Sequence, residues 1–125
     1  MKKYVFLGLM LVSYSAFAQD VYRLETKMGD KVFGDLLVID SYKDRSFEGS
    51  LTVPGIFTSK IESPVLQELC AGKRMSFDVN VHENSQDYVV HYNLNITFIG
   101  FVSGTLSQDG VVIAKISGSQ IYGGN

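Results

Sequence analysis

The chain has 125 residues, 46% of them hydrophobic, and 11 basic against 13 acidic side chains give it a formal net charge of −2. Without Lys2 and Lys3 nine basic residues remain, only Lys73 and Arg74 among them adjacent, a balance that excludes binding driven by nucleic-acid phosphates. Cys70 is the single cysteine, so no intramolecular disulfide exists and a modest core must supply the stability.

The first residues carry a positive start at Lys2 and Lys3, an apolar run from Tyr4 to Val12, and small residues at Ala16 and Ala18. This pattern predicts a secretory signal peptide over residues 1–18 and one mature domain over 19–125. Ser13, Tyr14 and Ser15 break the run well short of the about 20 apolar residues that a span needs, so no membrane span is expected after cleavage. The short Met-Lys-Lys leader points to a bacterial exporter, and to a periplasmic or extracellular location.

Tyr22, Leu24, Thr26 and Met28 alternate with Arg23, Glu25 and Lys27, which predicts a strand with a charged outer face. Gly29-Asp30 then turns the chain. A three-residue loop would set Leu24 against Leu36, and a two-residue loop would set it against Asp35; the expectation is the former, which pairs apolar with apolar. The strand from Lys31 to Ile39 is apolar on both faces, and such strands are covered on both. Cover for Phe33, Leu37 and Ile39 would have to come from a terminus, a helix or another subunit, the last making a homodimer through these residues.

Phe47, Gly49, Leu51 and Val53 form a further alternating strand stopped by Pro54-Gly55, and residues 56–61 a short one. Ser63-Pro64 offers a helix cap and a first-turn proline, and Val65, Leu66, Leu69 and Cys70 fall at helical spacing. A short helix near 63–71 is expected, with Cys70 as a small buried residue.

The longest alternation runs from Lys73 to Phe98. Met75, Phe77, Val79 and Val81, then Tyr88, Val90, Tyr92, Leu94, Ile96 and Phe98, share one face of a hairpin. Placing both sets on that face requires Val81 opposite Tyr88, Val79 opposite Val90, Phe77 opposite Tyr92, and Met75 opposite Leu94. Strands over 101–106 and 111–117 complete the chain, joined by the Asp109-Gly110 hairpin signal. Gly49 and Gly104 stand on apolar faces, where a missing side chain lets a sheet bend sharply. The fold class is all-β: about eight short antiparallel strands in a small meander barrel or sandwich, plus the short helix.

This Gly-punctuated meander of strands resembles small secreted barrels of the calycin kind, the lipocalins and avidins. The resemblance implies a binder of small molecules. The sequence has no Trp, so the Gly-x-Trp usual near the first strand of those families is missing, and the resemblance carries over no binding residue. A smaller likeness is to exported bacterial lysozyme inhibitors, whose Ser-Gly-x-x-Tyr loop enters the enzyme's cleft. Here Ser117-Gly118-Ser119-Gln120-Ile121-Tyr122 is one residue too long for that motif.

Catalysis needs convergent groups with tuned protonation, and the chain offers few. The derived register puts His91 opposite Asp78 and His82 opposite Asp87 on the wet face, with no Ser or Cys nucleophile fixed beside them. Asp78, Asn80, His91 and Asn93, within a strip that also holds Ser76, Asn95 and Thr97, are candidate binding residues for a protein or glycan. Ser117 and Tyr122 are candidates for contact with a cell-wall hydrolase. No cofactor, no metal and no enzymatic activity are expected; the function expected is that of an exported binding or interaction domain. The alternatives are inhibition of a cell-wall hydrolase and carriage of a small apolar ligand.

Overall fold

The computed structural model describes residues 19–123, so the expected signal peptide lies outside the described residues. Among the described residues nine strands form: β1 Asp20–Met28, β2 Lys31–Lys43, β3 Ser46–Val53, β4 Phe57–Lys60, β5 Glu62–Leu69, β6 Gly72–Glu83, β7 Gln86–Thr97, β8 Phe101–Gln108 and β9 Val111–Tyr122. They make one antiparallel sheet in the order β4-β3-β2-β1-β9-β8-β7-β6-β5. The chain is thus two meanders, β1 to β4 and β5 to β9, sewn together where β1 pairs with β9.

The edge strands β4 and β5 are separated by the single residue Ile61, so the edges of the sheet must lie side by side. The sheet therefore rolls. Ile61 is buried and its amide donates to the Gly49 carbonyl at 3.2 Å, while the Leu66 amide donates to the Arg45 carbonyl at 3.0 Å and Ser46 Oγ to the Pro64 carbonyl at 3.3 Å. These contacts tie the two edge regions together without a β4–β5 ladder among the described residues.

The long hairpin has the register derived from its alternation: Phe77 opposite Tyr92, Asp78 opposite His91, and Val81 opposite Tyr88. Phe77 and Tyr92 stack at 4.9 Å between ring centroids with planes 8° apart, and Phe47 meets Phe77 edge-on at 6.0 Å. These three rings fill the middle of the interior. Phe98, read as part of the same apolar face, instead lies 75% exposed in the turn after β7.

Gly49 and Gly104 do permit the bend. A Cβ on Gly49 would stand 2.2 Å from the Val38 carbonyl oxygen, and one on Gly104 2.1 Å from that of Asn93. Backbone approaches this close leave no room for any side chain.

The helix near 63–71 does not form; those residues are strand β5 and the turn after it. A helix of so few residues is marginal by itself, whereas β6 presents a full edge of backbone groups to pair. Ser63 takes a left-handed φ of 49° at the irregularity between Glu62 and Val65, which lets the chain enter the ladder despite Pro64. Cys70 then falls in the β5–β6 turn and is exposed, not buried.

In the middle of β2 both faces are closed to solvent, with Leu37 and Ile39 fully buried and Leu36 and Val38 nearly so. Leu37 and Ile39, candidates for a subunit contact, belong to the interior of this chain, and Phe33 borders one mouth of the rolled sheet. Neither buried residue is open to a second subunit.

Candidate functional site

The decisive local feature is the turn at Gly29-Asp30. Gly29 has φ of 62°, as the first central residue of a two-residue type II′ loop requires, and the loop sets Met28 against Lys31. The three-residue loop expected from apolar pairing does not form. The consequence runs down the ladder: Leu24 faces Asp35, and the inward set of β2 becomes Lys31, Phe33, Asp35, Leu37 and Ile39. One register step has carried a carboxylate to the apolar side.

Asp35 is 3% exposed. Thr26 Oγ1, from the neighbouring β1, donates to Asp35 Oδ2 at 2.9 Å, and the Tyr92 hydroxyl stands beside the same carboxylate. Asp35 Oδ1 has no hydrogen-bond partner. Burial pushes the Asp35 pKa up to about 6, although Thr26 and Tyr92 pull it back in part. The Tyr92 hydroxyl is raised by its own burial and by the nearby Asp35 charge.

Above this carboxylate the rolled sheet opens into a cavity of about 280 Å³. Its wall is apolar, with Phe33, Phe57, Val90 and Ile113 around the Asp35–Tyr92 floor, and Lys31 and Glu83 also border it. The size is close to the lower end of the about 300–1,000 Å³ usual for ligand sites, and an apolar lining with few convergent polar groups is their usual composition. The aromatic layer of Phe77 and Phe47 closes the interior below it.

The opposite end is polar and internally paired. Asp20 is 7% exposed; the Tyr42 hydroxyl donates to its Oδ2, and Gln120 Nε2 donates to its Oδ1 at 2.7 Å. Lys73 Nζ lies 3.8 Å from Asp20 Oδ2, donates to the Tyr42 hydroxyl oxygen at 3.1 Å, and stands 4.5 Å above the Tyr42 ring centre. Burial and the hydrogen bond to Asp20 raise the Tyr42 pKa, and burial pushes Tyr22 up to about 12. This network links β1, β2 and β9 to β6 across the roll. A cleft of about 650 Å³ borders it, but the buried groups it reaches already have partners.

The residues singled out in the sequence lie elsewhere. His91 Nδ1 and Asp78 Oδ1 are 2.7 Å apart on the outer face of β6 and β7, and His82 hydrogen-bonds Asp87 at the hairpin end. Asn80 and Asn93 share that outer face and are exposed. Ser117 lies mid-strand in β9, paired with Glu25 and Ser103, and Tyr122 ends the strand. The stretch from Ser117 to Tyr122 is therefore ladder, not a projecting loop. Among the described residues no three His, Cys, Asp or Glu side chains gather as metal ligands would.

Asp35, Thr26 and Tyr92 went unmarked as site residues by sequence reasoning. The signal was available in Gly29-Asp30, a Gly-first two-residue loop that fixes the register placing Asp35 inside. In comparisons with protein-family models, curated proteins and solved structures, nothing matches this chain.

Proposed function

We propose that this is an exported, non-enzymatic binding domain whose rolled sheet is a small calycin-like barrel, and that it holds a small, largely apolar ligand in the mouth beside Asp35. The observation that carries this reading is the 280 Å³ apolar cavity with a buried, half-paired carboxylate at its floor. A solid interior serving only stability would gain nothing from either feature. The His–Asp pairs support a non-enzymatic reading because they sit on an open outer face, where a cross-strand pair is worth a fraction of a kcal/mol.

Fluorescence of N-phenyl-1-naphthylamine, which brightens on leaving water, tests the reading. The protein should enhance it saturably at micromolar concentrations, and Ile113→Trp, which puts a large ring into the wall, should abolish the enhancement. Absence of enhancement by the wild-type protein, or full enhancement by Ile113→Trp, contradicts it.

A further inference from the structure

We infer that the ligand is a small amphipathic amine, its ammonium group seated on Asp35 and its apolar body lying along the wall of the mouth. This inference rests on the reading of the mouth as a binding pocket, and it names the chemical class of the ligand.

Three observations converge on that class. Asp35 Oδ1 is buried and has no hydrogen-bond partner, a state that is unfavourable for a neutral acceptor and more so for a charged one. Among the described residues no cationic side chain forms an ion pair with Asp35; the ion pairs involve Glu48, Asp20, Asp87 and Asp78. An ammonium donor of a ligand would supply both the missing hydrogen bond and the missing charge.

The walls suit the same class. Phe33, Phe57 and Tyr92 are among the lining residues, and a cation near aromatic rings gains further attraction when water is excluded. An anion entering the same space would meet the buried Asp35 carboxylate, with Lys31 only at the border of the cavity. A neutral hydroxyl would satisfy Oδ1 but leave the charge uncompensated. A bare metal ion fits poorly, because among the described residues no three His, Cys, Asp or Glu side chains gather there.

Calorimetric titration of the intact protein at pH 7.5 with three ligands of one shape decides the matter: 2-phenylethylamine, 2-phenylethanol and 3-phenylpropionate. The amine should bind about tenfold or more tighter than the alcohol, and the carboxylate should bind most weakly. In Asp35→Asn the advantage of the amine over the alcohol should shrink to within about twofold. Equal binding of amine and alcohol by the wild-type protein overturns the inference, and that comparison needs no variant to fold. A preference for the amine that survives in a folded Asp35→Asn protein also overturns it. Enhancement of N-phenyl-1-naphthylamine without preference for the amine removes only the ammonium assignment. Failure of the probe and of all three ligands removes the pocket reading as well.

Discussion

The two ends of the rolled sheet each bury one aspartate from the β1–β2 pair, and they treat it in opposite ways. Asp20 receives hydrogen bonds from Tyr42 and Gln120 with Lys73 close by, whereas Asp35 has the Thr26 hydroxyl on Oδ2 and the Tyr92 hydroxyl beside it, no cation, and an Oδ1 without a hydrogen-bond partner. A buried charge with a complete set of partners acts as a rivet; one left half-paired is a standing cost to the fold. The contrast separates structure from function within one small domain. The Asp20 end draws β1, β2, β6 and β9 together, and the Asp35 end keeps an incompletely partnered carboxylate among the residues lining a cavity.

Substitution at the two aspartates should break this contrast in opposite directions. Asp20→Ala removes acceptors from Tyr42 and Gln120 and leaves Lys73 without its anion, a loss of about 3–4 kcal/mol readable from the urea midpoint. Asp35→Asn keeps an acceptor for Thr26 and removes the buried charge, so it should stabilise the protein by about 2–3 kcal/mol at pH 8.

The same shift sets the pH dependence. In the folded chain burial raises the Asp35 pKa to about 6, against the ordinary aspartate value of 3.8. The folded state thus binds more protons across that window. Its contribution to stability is fully present below pH 3.8 and is lost as the pH rises through 6. The difference in urea midpoint between wild type and Asp35→Asn should accordingly be small at pH 4 and widest above pH 7.

Smaller effects sharpen the picture. Gly104→Ala would force a Cβ against the Asn93 carbonyl and should cost about 2 kcal/mol by straightening the bend that brings the ends of the roll into shape. His91→Ala removes an exposed cross-strand pair and should change stability by less than about 0.5 kcal/mol. Cys70 should react with a thiol reagent in the native protein, since it sits in an exposed turn; complete protection would contradict its position.

The long β6–β7 hairpin was legible because its alternation is long and one-sided: shifting Phe77 or Tyr92 by one residue would turn every apolar side chain to water. The glycines at 49 and 104 were legible for a related reason, since an apolar face interrupted by Gly signals close backbone approach. Strand β5 was not, because Ser63-Pro64 and the spacing of Val65 and Leu69 satisfy local helix rules, and only the open edge of β6 outweighs them. The candidate site was concealed by a reasonable preference. Matching Leu24 with Leu36 looks better locally than matching it with Asp35, but the Gly29 turn enforces the latter. Local pairing optimises apolar contact, so a buried acid kept at a site reads as an error in register until the turn is taken seriously.

The account stands on Asp35 being a buried, incompletely partnered carboxylate at the floor of the mouth. Carbon-13 NMR of the aspartate side-chain carboxyls, with Asp35 assigned through the Asp35→Asn spectrum, measures its titration directly. A midpoint near pH 6 is the predicted result. A midpoint near 4, the value of a well-hydrated aspartate, would contradict the burial and the register beneath it.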